Sequence, residues 1–189
     1  MNEQSPNYQD LMLYRVHEIL LIASEYDSYI LEEDGRLTEQ ILNEYIGMNL
    51  SYAPRVWNAP SAKKANEMIQ NRFFDLIIVM SRISDIDSFK FSKKLKNKYP
   101  KKPIVLLAFD QSEIKHISEK DKKIFDEIFI WSGDSNVFPA IIKSIEDKRN
   151  IEKEEHLRKD VAHAHETGFF FGKRNLFIYP HAIKDMHTL

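Results

Sequence analysis

The residues best placed to do chemistry follow an apolar run, Asp75–Met80, whose letters DLIIVM are typical of a buried β-strand. In open α/β sheets, ligands and reactive side chains lie beyond the carboxyl ends of the strands. This run ends on Met80, and Arg82, Asp85 and Asp87 follow it. A thioether can neither form an acyl phosphate nor replace the carboxylate oxygens that hold a hard cation. The strand therefore presents a packing residue where a reactive group is expected.

The composition is that of an ordinary globular protein, and it excludes several functional classes. The 189 residues are 43% hydrophobic and 30% charged, which suits one domain with an appendage. The net charge of −2 gives no reason to expect nucleic acid or an anionic membrane as a partner. The chain has no Cys, which excludes disulfides, zinc–thiolate sites and thiol catalysis and fits a cytoplasmic location.

The sequence also lacks the signals of a nucleotide cofactor and of a membrane segment. It contains neither a Walker-type loop nor a G-x-G-x-x-G motif. No apolar run approaches the about 20 residues that span a bilayer, and the N-terminus mixes acidic and polar residues, unlike a secretory signal. We therefore expect no cofactor and no membrane contact.

Short apolar runs alternate with amphipathic segments along most of the chain. The predicted strands are Glu18–Ser24, Pro54–Ala59, Asp75–Met80, Pro103–Phe109 and Glu127–Trp131. The first, third and fourth are nearly continuous Val, Ile and Leu, which is typical of parallel strands buried on both faces. Helices are predicted at 27–45, after Ser61 as N-cap, at 84–99 and from about Ser135, with a short polar helix between 112 and 125. The pattern predicts an α/β fold with a doubly wound five-stranded parallel sheet of order 2-1-3-4-5, flavodoxin-like and of the receiver type, with an extended C-terminal helix.

The C-terminal part has a different pattern. Residues 147–167 are helical in propensity and dense in charge, with sparse apolar positions at Ile151, Leu157, Val161 and Ala164. This segment is either a solvated continuation of the last helix or a connector that dimerises. The aromatic tail that follows has no period that defines an element. The predicted organisation is an N-terminal extension at 1–14, a domain at 15–149, and a helical connector with an aromatic tail at 150–189.

The order of these elements and the segment DLIIVMSRISDIDSF together resemble the receiver domain of bacterial two-component response regulators. PIVLLA is similar to the fourth strand of that family and EIFIW to the fifth. The likeness covers Arg15 to Arg149, and it implies a phosphorelay module of signal transduction. Receiver chemistry uses two acidic residues after strand one for magnesium, an Asp ending strand three, a Thr or Ser ending strand four, and a Lys ending strand five.

None of these five groups is present at the matching positions. The acidic pair falls on Ala23 and Ser24, the phosphoacceptor on Met80, the hydroxyl on Ala108 and the lysine on Trp131. The resemblance therefore implies a pseudo-receiver with no catalytic residue and no metal ligand. We expect Met80 and Trp131 in a packed, dry pocket with Ala108 nearby.

Two alternatives remain open beside this hypothesis. The segment 26–41, YDSYILEEDGRLTEQI, resembles the start of receiver-like modules that precede phosphoenolpyruvate synthase-like or pyruvate phosphate dikinase-like enzymes. That resemblance implies the N-terminal regulatory domain of such an enzyme. The other alternative is a phosphorelay receiver that uses a displaced carboxylate, Asp85 or Asp87.

A partner surface is expected at the same corner. Arg82, Phe109 and Trp131 lie at neighbouring strand ends in the predicted sheet and could contact a protein or an anion, since aromatic residues and Arg dominate protein interfaces. We therefore expect a non-enzymatic regulatory module that acts through a protein partner or an appended domain. A homodimer through the C-terminal helix is the further expectation.

Overall fold

The five predicted strands form one parallel sheet, and its order confirms the prediction. A computed structural model describes residues 14–33, 36–47, 53–115, 117–132, 136–167, 169–172 and 175–178. The strand order is β2-β1-β3-β4-β5, and each pairing is parallel. The strands are β1 Glu18–Ile22, β2 Arg55–Ala59, β3 Leu76–Met80, β4 Ile104–Ala108 and β5 Glu127–Ile130. This is the doubly wound, flavodoxin-like arrangement that the alternation of elements predicts.

Helices cover both faces of the sheet. They are α1 Glu25–Glu33, α2 Leu37–Gly47, α3 Ala62–Asn71, α4 Ser88–Lys98, α5 Gln111–Lys115, α6 Glu119–Lys122 and α7 Val137–Thr167. One core cluster joins alternate strand residues to α1, α2 and the start of α7, and a second joins the remaining strand residues to α3 and α4. All five residues of β3 and of β4 are buried, because side chains of both orientations meet a helix layer.

Three predicted helices differ from the observed ones. The short polar helix predicted between 112 and 125 is two short helices, α5 and α6. The helix predicted at 27–45 is two helices, α1 and α2, and Arg36 before α2 has a positive φ of 43° that a continuous helix would not allow. The helix predicted at 84–99 begins at Ser88, because the Asp87 side chain accepts a hydrogen bond from Lys90 N and caps it. The predicted N-cap of α3 is confirmed, since the Ser61 side chain accepts from Lys64 N.

The chain divides into two compact units, Met1–Asp147 and Lys148–Leu189. In the second unit, helix α7 continues to Thr167, and an antiparallel pair of strands follows, β6 Phe169–Gly172 and β7 Asn175–Ile178. The sequence pattern did not predict this pair. The predicted extension at 1–14 lies outside the described residues except for Tyr14. The predicted domain boundaries at 14/15 and 149/150 stay predictions.

Candidate functional site

The carboxyl ends of the strands form a corner lined by apolar side chains. Met80 ends β3, Ala108 ends β4, and the parallel register places Met80 beside Leu107. Trp131 follows β5, and its backbone N donates to Ala108 O at 2.8 Å. Ala23, Met80 and Ala108 are fully buried, and Trp131 is 6% exposed. Three of these residues, Ala23, Met80 and Trp131, belong to one core cluster, so the corner is filled by packing.

Ser24, the remaining predicted pocket residue, is engaged in the start of α1. Its hydroxyl donates to the Asp27 carboxylate at 2.7 Å and accepts from Asp27 N at 3.1 Å. The second bond caps the helix, whose first backbone N–H groups have no partner within the helix, and the first joins the two side chains. Ser24 therefore has a local structural role at the edge of the corner.

The polar centre of the corner is Glu113, a residue of α5 that sequence reasoning missed. Its carboxylate accepts hydrogen bonds from the Ser81 hydroxyl, from Phe109 N at 2.9 Å and from Arg82 Nε at 2.8 Å. The Arg82 guanidinium also approaches the same carboxylate to 2.7 Å through Nη2. Charge-assisted hydrogen bonds of this kind are about twice as strong as neutral ones. The ends of β3 and β4 are thus joined through one internal anion.

The protonation equilibrium of Glu113 agrees with this geometry. Burial raises the pKa of its carboxyl group, since only 12% of the side chain is exposed. The hydrogen bonds from Ser81, Phe109 and Arg82 outweigh burial and hold the pKa below its usual value. The ionised form is therefore the one that the corner stabilises.

The three residues predicted to contact a partner do lie together. The Arg82 guanidinium lies 5.5 Å from the centroid of the Phe109 ring, and that ring lies 5.6 Å from the Trp131 ring. The Arg82 side chain is 69% exposed, Phe109 is half-buried and Trp131 is buried. An approaching partner would reach Arg82 and the edge of Phe109, because Phe109 and the core cluster cover Trp131. The Trp131 indole N–H is buried, without a hydrogen-bond partner among the described residues.

The two displaced carboxylates have structural partners. Asp85 accepts from Ala62 N at 2.8 Å and from Lys63 N at 3.0 Å, at the start of α3. Burial raises the pKa of Asp85, but the hydrogen bonds from these backbone donors lower it by more, so the pKa lies below its usual value. Asp87 caps α4 through Lys90 N. Each carboxylate thus satisfies a helix terminus beside the corner.

The described part of the chain offers neither a cluster of metal ligands nor a membrane-spanning helix. Within it, no three His, Asp or Glu side chains come together as a group that could hold a metal ion. Its helices include none that is both long and apolar enough to cross a membrane.

Solved structures of receiver domains are similar to this chain in fold. The response regulator TrrA from Thermotoga maritima, solved in complex with Mg²⁺ and BeF, has a TM-score of 0.52 and 17% identity, over 68% of this chain and 97% of its own. A CheY-like receiver domain protein from Methanospirillum hungatei JF-1 also has a TM-score of 0.52 and 17% identity, over 72% of this chain and 98% of its own.

The signal receiver domain of an HD domain-containing protein from Pseudomonas fluorescens Pf-5 has a TM-score of 0.54 and 18% identity, over 75% of this chain and 95% of its own. Identities this low show the fold alone. No protein-family model matches the sequence, and no curated protein matches it. The narrower resemblance to modules of phosphoenolpyruvate synthase-like enzymes stays a prediction.

Proposed function

We propose that this chain is a cytoplasmic signalling module with a receiver fold that works without phosphoryl transfer, through contacts with a protein partner or an appended domain. The observation that carries the proposal is the internal carboxylate of Glu113, which takes the hydrogen bonds of Ser81, Phe109 and Arg82 at the carboxyl edge of the sheet. The proposal assigns no catalytic residue, no cofactor and no metal ligand.

The apolar strand ends support this function. An acyl phosphate needs a carboxylate at the end of β3, and this chain has the buried thioether of Met80 there. A phosphoryl group arriving at the corner would also meet the ionised Glu113, and like charges at short range repel strongly where water is excluded. Asp85 and Asp87, the carboxylates nearest in sequence, already hold the starts of α3 and α4. In the phosphorelay alternative, the phosphoryl group would therefore have to go to a carboxylate of this loop that already accepts hydrogen bonds from a helix terminus.

A protein contact is supported by the surface next to the corner. Strand β5 is an edge strand of the sheet, and its residues Ile128 and Phe129 are half-buried while Ile130 is exposed. Edge strands with partly exposed apolar residues are common places for a partner to add a strand or a helix. Arg82 follows the central strand β3 and is exposed and paired with Glu113. Its guanidinium lies over the Phe109 ring, which contacts Trp131 after β5, and it offers a charged contact.

The continuation of α7 supports a homodimer as one form of this contact. All ten residues from 151 to 160 are exposed, including the apolar residues Ile151 and Leu157. A second copy that packs along this helix would bury both side chains, which would contribute roughly 1.5–3 kcal/mol for each fully buried residue. Sedimentation equilibrium of wild type and Leu157→Glu measures this, and a monomer at all concentrations would remove the homodimer from the proposal.

The experiment that tests the function measures phosphoryl chemistry directly. The protein is incubated with acetyl phosphate and Mg²⁺ and its intact mass is measured. It is separately titrated with beryllofluoride and Mg²⁺ while the fluorescence of its two tryptophans, Trp57 and Trp131, is recorded. TrrA from Thermotoga maritima, which was solved with Mg²⁺ and BeF, serves as the positive control. We expect no phosphoryl-sized mass increase and no Mg²⁺-dependent fluorescence change. A stable phosphoryl adduct on any carboxylate of this chain would overturn the proposal.

A further inference from the structure

A cleft lies at the amino edge of the sheet, the edge opposite to the corner described above. Its volume is about 610 Å³, and it is lined by residues that precede β3 and β4. Small-molecule sites typically enclose about 300–1,000 Å³. The wall is formed mainly by aromatic and apolar side chains, among them Ile69, Phe73, Phe74, Tyr99 and Pro103. The cleft therefore has the size and the apolar wall of a ligand site.

Two consecutive phenylalanines in this wall have opposite environments. Phe74 is buried in the core, whereas Phe73 is 70% exposed at the cleft. A large ring that is left in water beside an apolar wall is a surface that an apolar ligand would cover. Covering it removes apolar area from water, which favours binding.

The charges around the cleft are strongly biased. The whole chain has a net charge of −2, yet the lining contains one acidic residue, Asp75, and four basic residues, Arg72, Lys98, Lys101 and Lys102. The Asp75 carboxylate accepts hydrogen bonds from the backbone N–H groups of His17 and Glu18, which ties it to the start of β1. The cleft is therefore complementary to an anion, against the charge of the chain as a whole.

Lys102 places one of these charges against the apolar wall. Its ammonium lies 3.5 Å from the centroid of the Phe73 ring and donates to Phe74 O. Burial lowers the pKa of Lys102, and the charge of Asp75 offsets part of that effect. A carboxylate brought to this point by an apolar body would stabilise the charged ammonium. The Phe73 ring thus suits the apolar part of a ligand, and the Lys102 ammonium beside it suits an anionic group of the same ligand.

We propose that this cleft binds a small amphipathic organic anion, with its alkyl chain or ring system against Phe73 and Pro103 and its carboxylate at Lys102 and Lys98. The combination of an apolar wall and a basic rim carries this choice. A neutral apolar molecule would bring no negative charge to the ammonium groups of Lys98 and Lys102, and an inorganic anion would leave the wall exposed. The cleft and the Glu113 corner lie at opposite edges of the sheet, so this proposal is independent of the proposed function and can fail separately.

The test is isothermal titration calorimetry of the full chain with decanoate, decanol and acetate. Decanoate carries both halves of the ligand, decanol only the apolar body and acetate only the anion. We expect saturable one-to-one binding of decanoate, binding of decanol at least about tenfold weaker, and no measurable binding of acetate. Equal binding of decanol and decanoate, or no saturable binding of decanoate, would overturn the proposal.

Variants locate the site. Phe73→Ser is expected to weaken decanoate binding by about tenfold, because it removes the exposed ring, whereas Tyr29→Ser removes an exposed ring on α1 and should change nothing. Lys102→Met keeps an unbranched apolar chain and should reduce the preference for decanoate over decanol, since Lys98 remains. Lys90→Met is the charge control outside the cleft. Circular dichroism melting of every variant checks the fold. Unchanged binding by Phe73→Ser would overturn the assignment.

Two other occupants of the cleft are distinguished by the same proteins. An acidic peptide with a C-terminal leucine that binds, while decanoate does not, would assign the cleft to a partner protein and overturn the proposal. Self-association that depends on concentration and is lost in Phe73→Ser, again without decanoate binding, would assign it to a second copy of this chain and would overturn it equally.

Discussion

The carboxylate of Glu113 accepts a hydrogen bond from the hydroxyl of Ser81, although the two residues lie 32 positions apart in the chain. This bond joins α5 to the end of β3, and the Phe109 N–H and the Arg82 guanidinium complete the set of donors. At the carboxyl edge of the sheet, the Glu113 side chain thus connects the loops that follow β3 and β4.

Glu113→Ala is expected to lower the free energy of unfolding by about 1–3 kcal/mol, because the Ser81 hydroxyl and the Phe109 N–H lose their acceptor in a partly buried site. Urea unfolding followed by circular dichroism measures the loss. Glu119→Ala is the matched control, since that side chain is 85% exposed and forms an ion pair with Lys122 of the same helix, α6. Exposed ion pairs of this kind contribute little to stability. Equal losses in the two variants would contradict the role given to Glu113.

The stability that Glu113 contributes should depend on pH. Its pKa in the folded protein lies below the ordinary value of 4.5, so the unfolded chain binds more protons between the two values and stability falls as the pH is lowered through this window. Glu113→Gln cannot titrate and should lack this fall. The measurement is the free energy of unfolding of both proteins from pH 7 to pH 3. A stability difference that stays constant over the range would show that the ionised form is not preferred.

Glu146 should show the opposite dependence. Burial raises its pKa by more than the Val16 N–H and the charge of Arg15 lower it, so the folded protein holds the proton above the ordinary value of 4.5. Stability is then fully present below that value and is lost as the pH rises through the folded pKa. Glu146→Gln keeps an acceptor for Val16 N and should flatten this loss. Urea unfolding from pH 4 to pH 8 tests it, and identical slopes in both proteins would refute it.

Met80→Asp places the missing carboxylate at the end of β3, in a fully buried position. We expect a loss of several kcal/mol in the free energy of unfolding, because an unpaired carboxyl group replaces a packed side chain in the core. Met80→Leu conserves the volume and should cost less than about 1.5 kcal/mol. Urea unfolding compares the two variants, and intact mass after acetyl phosphate and Mg²⁺ treatment is measured on both. A stable Met80→Asp protein that gains a phosphoryl group would mean that the corner has kept its phosphate-binding groups.

Asp85→Ala should destabilise the protein by about 1 kcal/mol, since Ala62 N and Lys63 N at the start of α3 lose their acceptor. Asp85→Asn retains a side-chain oxygen and is expected to recover most of the loss. Thermal unfolding by differential scanning calorimetry ranks the three proteins. If Asp85→Asn and Asp85→Ala lose the same stability, the charge and not the capping oxygen is what matters.

The strand order could be predicted because it depends on a strong, local signal. The runs in β3 and β4 are almost entirely Val, Ile and Leu. A strand covered by helices on both faces needs apolar side chains on both, so its sequence is a continuous apolar run. The start of α4 was predicted too early, because a cap depends on one bond, which Lys90 N donates to the Asp87 carboxylate. Several residues before Asp87 have similar propensities. The pair β6 and β7 was missed because its aromatic residues do not alternate with polar ones.

The candidate site was predictable only in part, for a related physical reason. The positions of Met80, Ala108 and Trp131 follow from counting along apolar runs. In the structure Met80 and Ala108 end their strands and Trp131 directly follows β5, all at one edge of the sheet. Glu113 lies in a short polar helix whose pattern shows no preferred face. Its role depends on a hydrogen bond between residues far apart in the chain, and hydrophobic periodicity carries no information about such a bond.

Glu113 is tethered five residues beyond Ala108, so its carboxylate returns to Ser81 and Phe109 at an effective concentration of about millimolar or higher. A dissolved anion competes with the Glu113 carboxylate for these donors. Its concentration must exceed that effective concentration before it replaces the carboxylate. Changes in the phosphate or carboxylate content of the surroundings would leave α5 where it is. A neighbouring macromolecule that binds α5 and moves it away would remove Glu113 from its donors directly. It would not have to exceed the effective concentration of the carboxylate.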